Sequence, residues 1–62
     1  MPERAVILDL LRKHWPYWDT PARLSVLAGL SLDATRSTLE RLEVEGSVLR
    51  RGDTWQFDKA GV

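Results

Sequence analysis

The sequence contains no cysteine and only one histidine, His14. Without thiols the chain can form neither disulfide bonds nor thiolate metal sites, and one imidazole with carboxylates is a poor ligand set for zinc. We therefore expect no metal and no cofactor. Catalysis needs a nucleophile beside a base, or paired carboxylates in a pocket, and a 62-residue chain offers little room for either. We expect the protein not to be an enzyme.

Long apolar segments are also missing from the sequence. No run approaches the roughly 18 apolar residues of a membrane-spanning helix. The N-terminal apolar stretch contains Asp9 and lacks a small-residue cleavage site, so it does not resemble a signal peptide. These absences predict a protein that does not enter the membrane and that resides in the cytoplasm.

An excess of charge of one sign is absent as well. Nine basic and nine acidic residues give a formal net charge of zero. Nucleic-acid-binding domains are often basic, with the positive charge gathered on one face. The total charge therefore gives no support to nucleic-acid binding, and the distribution of charge along the chain has to be considered instead.

Proline and glycine mark the ends of two predicted helices in the first half of the chain. Helix 1 covers about residues 3–14 and ends before Pro16, because the residue before a proline avoids the α conformation. Helix 2 covers about residues 21–28. It begins after the N-cap residue Thr20 and ends at Gly29, which suits a left-handed C-terminal position.

Helix 3 is predicted at about residues 32–45, between the N-cap residue Ser31 and Gly46. Apolar residues and a threonine recur along one of its faces: Leu32, Thr35, Leu39 and Leu42. Only three residues separate helices 2 and 3, which is typical of a helix-turn-helix. After helix 3 the pattern alternates every two residues around the Gly52-Asp53 turn, which predicts a β-hairpin at about residues 47–58.

These elements predict one α+β domain over residues 1–62, with three helices followed by a β-hairpin. A third strand is added if Tyr17-Trp18 pairs with that hairpin. Trp55 and Phe57 alternate on the return strand, and we expect them to close the hairpin onto helix 3 as core residues.

Three motifs between residues 29 and 51 are typical of one family. They are Gly29-Leu30-Ser31 between helices 2 and 3, the L-x-x-L-x-x-x-G pattern that ends at Gly46, and the strand Val48-Leu49-Arg50-Arg51. With these motifs, residues 20–57 resemble the winged helix-turn-helix domains of bacterial and archaeal transcription regulators. The similarity is greatest to the reader domains of IclR-like and MarR-like regulators.

The resemblance implies sequence-specific binding of duplex DNA in transcriptional regulation. The second helix of the motif would lie in the major groove, and the wing on the DNA backbone or minor groove. The DNA-binding residues implied are Ser31, Leu32, Asp33, Arg36, Ser37, Arg50 and Arg51. Arg36 suits a bidentate bond to guanine and Asp33 suits the amino group of cytosine. Alternation along the strand directs Arg50 and Arg51 to opposite faces.

A second interpretation is a winged-helix module that binds a protein partner within a larger complex. Residues 31–57 contain five acidic and four basic side chains, which is unfavourable for contact with phosphates. We expect Arg41 to pair with Glu45 at a spacing of four residues.

The aromatic segment Trp15-Pro16-Tyr17-Trp18 also has two interpretations. In one, at least one of the two tryptophans caps the hydrophobic core. In the other, Trp15, Tyr17 and Trp18 form an exposed patch that binds a protein partner or a second copy of the chain.

Overall fold

The computed structural model describes residues 2–61; Met1 and Val62, which the expected domain range includes, lie outside this part of the chain. The elements in order are α1 (Glu3–His14), α2 (Pro21–Ala28), α3 (Leu32–Glu45), β1 (Val48–Arg51), β2 (Thr54–Phe57) and a 3-10 turn (Lys59–Gly61). Three helices are thus followed by an antiparallel hairpin. The α+β fold class is confirmed, and the topology is that of a winged helix.

The helix-turn-helix formed by α2 and α3 is determined by residues at the helix ends. Thr20 Oγ1 and Ser31 Oγ each accept a hydrogen bond from the backbone N–H three residues later, at 3.2 and 3.1 Å. Each bond satisfies one of the amide groups that a helix start leaves without a partner. Gly29 and Gly46 end the two helices with φ angles of 70° and 82°, a conformation that glycine adopts at little cost.

The core lies where α1, α2 and α3 pack against the inner face of the hairpin. Its buried members are Ile7, Leu11, Leu24, Leu39, Leu42, Val48, Trp55 and Phe57. The expectation that Trp55 and Phe57 are core residues is confirmed, since they are only 3% and 8% exposed. Leu32 does not join the buried face of α3, because it lies at the first turn and is 41% exposed.

The hairpin pairs Val48 with Phe57 at its base and Arg51 with Thr54 at its turn. Tyr17 and Trp18 do not form the third strand expected there. Only the next residue, Asp19, pairs with the hairpin, as an isolated bridge. The backbone of Asp19 donates to and accepts from the backbone of Trp55, with both N–O distances at 2.8 Å. The named sheet therefore keeps two strands, and the bridge ties the α1–α2 connection to β2.

Residues 2–61 contain neither a membrane-spanning helix nor a group of metal-binding side chains. In this part of the chain, no helix is long and apolar enough to cross a lipid bilayer. The same residues contain no group of three histidine or carboxylate side chains placed to hold a metal ion.

Candidate nucleic-acid interface

The α3 residues expected to read DNA share one outer surface, which we call the reading face: Ser31, Leu32, Asp33, Arg36 and Ser37. All five are exposed. On the opposite side of α3, Thr35 and Thr38 are buried, and their hydroxyl groups donate to backbone carbonyls four residues earlier at 2.9 and 2.8 Å. Because these threonines satisfy their hydrogen bonds within the helix, they can pack in the core. The reading face therefore lies on the solvent side of α3.

Ser31 has a structural role at the start of α3. Its Oγ accepts the backbone N–H of Ala34. The hydroxyl hydrogen is not used by this cap, so it remains able to donate to an anion. The position at the N-terminus of a 14-residue helix, where the helix dipole is positive, favours the same kind of ligand.

Arg36 links the reading face to the turn of the hairpin. Its Nη1 lies 3.7 Å from Oδ1 of Asp53, and the two side chains are 49% and 68% exposed. An ion pair this exposed contributes little stability and breaks easily. The contact does show that the hairpin turn and the outer surface of α3 lie on the same side of the molecule.

The two wing arginines lie over different tryptophan rings. The Arg50 guanidinium is 5.3 Å from the ring centre of Trp55, and its Nε donates to the carbonyl of Gly52 at 3.2 Å. The Arg51 guanidinium is 4.3 Å from the ring centre of Trp18. A cation above an aromatic face is attracted by the ring electrons, so both side chains are restrained while remaining exposed.

Trp15, Tyr17 and Trp18 belong to a connection that we call the aromatic loop, residues 15–19. Trp15 is 42% exposed, Tyr17 is 73% exposed and Trp18 is partly buried. Neither tryptophan is part of the buried core, so the expectation that one of them caps it is wrong. Each of the two rings instead has a cation near its face: Lys59 lies 4.7 Å from the ring centre of Trp15, and Arg51 lies over Trp18.

The aromatic loop is held at several points along its length. The backbone N–H of Tyr17 donates to the carbonyl of His14 at 2.8 Å. Gln56 Nε2, on β2, donates to the carbonyl of Pro16 at 2.7 Å. Together with the bridge between Asp19 and Trp55, these bonds hold in place the backbone that carries the exposed Tyr17 side chain.

Asp19 is the functional candidate that the sequence analysis missed. Its side chain is 4% exposed, its Oδ2 lies 2.9 Å from Nδ1 of His14, and its Oδ1 lies 3.8 Å from Nε of Arg23. A carboxylate this buried needs such partners. Nothing in the sequence marks Asp19 as buried, because it follows exposed aromatic residues and precedes an ordinary helix cap.

Two exposed carboxylates are held by basic side chains. Glu45 accepts from Nη2 of Arg4 at 2.6 Å, and this hydrogen bonding holds the pKa of Glu45 below its ordinary value. The expectation that Arg41 pairs with Glu45 is wrong. Arg4 of α1 forms the ion pair with this carboxylate, and Arg41 contributes only a weaker charge interaction. Asp9 accepts from Lys13 and Arg12, each at 3.1 Å, which lowers the pKa of Asp9.

Comparison of the chain with protein-family models, curated proteins and solved structures finds no match. The case for a function therefore rests on the arrangement of these side chains and on the winged-helix topology. A fold by itself does not define a function, since the same fold serves several.

Proposed function

We propose that this protein binds duplex DNA sequence-specifically as a transcription regulator, or as the reader domain of one, in the cytoplasm and without catalysis. In this proposal α3 enters the major groove and the hairpin lies along the backbone as a wing. One observation carries the proposal. The five residues of the reading face are exposed on the same side as the hairpin turn, and Arg36 and Asp53 join these two parts.

Base recognition is assigned to the first half of α3. The major groove is about 12 Å wide and accepts an α-helix. Arg36 leaves its weak pair with Asp53 and bonds to O6 and N7 of a guanine, and Asp33 accepts from the amino group of a cytosine. Ser31 and the N-terminus of α3 hold an adjacent phosphate.

The wing supplies contacts to the DNA backbone. Arg50 and Arg51 each lie over a tryptophan ring, so each loses less side-chain freedom when it meets a phosphate. The reading face itself has Asp33 beside Arg36, and the chain as a whole is neutral. A single copy therefore neutralises few phosphates, and its affinity for non-specific DNA is modest.

Fluorescence anisotropy of a labelled random-sequence duplex, titrated at low and moderate salt, tests the proposal. We expect dissociation constants on the order of micromolar at low salt and a steep loss of affinity as salt increases. Absence of binding at low salt, with protein on the order of hundreds of micromolar, overturns the proposal.

Two sets of variants locate the interface if the duplex binds. Arg36→Ala should relax the base preference at one position of a selected site, at a cost of roughly 1–3 kcal/mol, whereas Arg41→Ala, another exposed α3 arginine, should not. The double variant of Arg50 and Arg51 should weaken binding to all sequences and lower the salt slope by about two. An unchanged slope removes the wing from the interface.

A protein-interaction module is the second candidate function, and a groove between α1 and α2 favours it. The groove has a volume of about 380 Å³, and Leu27 in it is 51% exposed. Its lining combines four apolar residues with two charged ones: Ala5, Val6, Leu10, Leu27, Asp9 and Arg12. Sedimentation velocity tests whether a second copy of the chain covers this surface. A mass that grows with concentration in the wild type but not in Leu27→Asp supports the interaction module.

A further inference from the structure

A second cleft lies on the side of the molecule where α1 ends and α2 begins. It encloses about 490 Å³, within the roughly 300–1,000 Å³ typical of ligand pockets, and it is open to solvent. Its lining residues are Lys13, His14, Tyr17, Trp18, Asp19 and Arg23. We call it the aromatic–basic cleft, because it combines three basic side chains with two aromatic rings.

The charge that this cleft presents to a ligand is positive. Its one acid, Asp19, is 4% exposed and already faces His14 and Arg23. The basic side chains are the accessible ones: Lys13 is 70% exposed and Arg23 is 69% exposed. Lys13 also contacts Asp9, which it shares with Arg12. A cationic ligand is therefore disfavoured here, and an anionic one is favoured.

The aromatic rings of the cleft are carried by a backbone that hydrogen bonds hold in place. Tyr17 is 73% exposed, yet the backbone around it is held by the Tyr17–His14 hydrogen bond and by Gln56 at the carbonyl of Pro16. Trp18 is restrained by the Arg51 guanidinium 4.3 Å from its ring centre. An exposed ring on a braced loop is a stacking surface that loses little entropy when a planar group covers it.

A ligand that uses both properties must be anionic and must carry a planar, unsaturated ring. Single-stranded nucleic acid has both, because its phosphates are charged and its unpaired bases expose their faces. Duplex DNA does not fit as well, since its bases are stacked on each other and only their edges are accessible in the grooves. A purely apolar peptide would take water away from the charged ends of Lys13 and Arg23 and supply no anion in exchange.

We propose that the aromatic–basic cleft binds single-stranded nucleic acid, with an unpaired base stacked on Tyr17 and the flanking phosphates at Lys13 and Arg23. Trp18 also lines the cleft, and the Arg51 guanidinium of β1 lies over its ring. This proposal does not depend on duplex binding by α3, because the reading face shares no residue with the cleft.

The test uses the full chain and a labelled oligothymidylate of about eight nucleotides, within the roughly 4–16 nucleotides of known single-strand sites. Anisotropy is measured at low salt for the wild type, Tyr17→Ala and Tyr17→Phe. We expect Tyr17→Ala to weaken binding by about five- to 100-fold, because stacking on one base is lost. Tyr17→Phe keeps the ring and should bind like the wild type.

The contribution of charge is measured with Lys13→Ala, and Arg41→Ala serves as the matched control on α3. Lys13→Ala should weaken binding and lower the salt slope by about 0.7, the value for one single-strand phosphate. Arg41→Ala removes the same charge outside the cleft and should change neither quantity. Circular dichroism verifies that each variant is folded, which the exposure of Tyr17 and Lys13 favours.

Three results overturn the proposal. The first is no binding of the oligothymidylate by the wild type at low salt. The second is equal affinity of the wild type and Tyr17→Ala. The third is equal loss of affinity in Lys13→Ala and Arg41→Ala, which means that charge acts without a defined site. Titrating Tyr17→Ala and Arg36→Ala with both duplex and single strand separates the two surfaces, since each variant should affect only one ligand.

Discussion

The reading face of α3 and the aromatic loop, residues 15–19, are organised in different ways. α3 is delimited by its own neighbours in the sequence, the cap at Ser31 and the left-handed Gly46. The aromatic loop depends on residues far along the chain, because Gln56 holds the carbonyl of Pro16 across 40 positions and Trp55 pairs with Asp19. One surface is therefore a product of local structure, and the other exists only when the hairpin is docked.

The two surfaces also differ in charge. α3 carries four acidic and two basic residues, Asp33, Glu40, Glu43 and Glu45 against Arg36 and Arg41. Around the aromatic loop, Lys13 and Arg23 are exposed while Asp19 is buried. A net charge of zero thus conceals an uneven distribution, with mostly acidic side chains along α3 and exposed basic side chains beside the aromatic loop.

Trp55→Ala is expected to have the largest effect, because it removes a side chain that is 3% exposed and lies at the bridge to Asp19. The loss should be about 3–5 kcal/mol. Domains of 62 residues have total stabilities of roughly 3–9 kcal/mol, so the variant should lose a large part of its stability and should be unfolded at the lower end of this range. Urea denaturation followed by circular dichroism measures the change.

Trp55→Phe is the matched control for this experiment. Trp55 Nε1 is buried without a hydrogen-bond partner among residues 2–61. Removing that group breaks no hydrogen bond, and phenylalanine retains most of the apolar contact. We expect a clearly smaller loss than with alanine. Equal losses in the two variants would contradict the assignment of Trp55 as a core ring.

Asp19→Ala should destabilise the protein by about 2 kcal/mol, because a buried carboxylate and its hydrogen bond to His14 are lost. Asp9→Ala makes the same change of charge at a partly exposed position of α1 and should have a much smaller effect. Urea denaturation of both variants gives the comparison. If the two losses were alike, the side chain of Asp19 would not help to anchor the aromatic loop.

Ser31→Ala should cost about 1 kcal/mol, because the first turn of α3 loses its cap. Ser37→Ala is the control, since it makes the same substitution on the same helix at an exposed position away from the cap. Thermal denaturation measures both. If Ser31→Ala were as stable as Ser37→Ala, the Ser31 cap would not be needed to hold the reading face in place.

The smallest effect is expected from pH and the pair between Glu45 and Arg4. Hydrogen bonding from Arg4 lowers the pKa of Glu45 in the folded state, so the unfolded chain takes up the proton first. The stability contributed by the pair is present above the ordinary carboxyl pKa, and it is lost as the pH falls through the lower pKa of the folded state. The effect is small because both side chains are exposed to solvent.

Melting temperatures of the wild type and Glu45→Gln at neutral and acidic pH measure this contribution. The variant should melt slightly lower at neutral pH, and the difference should shrink in acid. A difference that does not depend on pH would show that the charge of Glu45 is not involved.

The order of the elements and the ends of the helices could be predicted from the residues alone. Thr20, Ser31, Gly29 and Gly46 act on backbone groups within a few residues, so their effect can be predicted without knowing the rest of the fold. The outward position of Arg36 and Ser37 also follows, because the apolar period of α3 assigns the opposite face to the core.

The partners of the charged and aromatic side chains, in contrast, depend on how the elements pack together. Glu45 has Arg41 nearby in the sequence, yet it pairs with Arg4, which lies 41 positions away. Arg51 is placed over Trp18 and Asp19 is buried only when the hairpin docks beside the aromatic loop. The physical reason is that several partners are chemically equivalent for a charge or a ring, and the packing of the core selects among them.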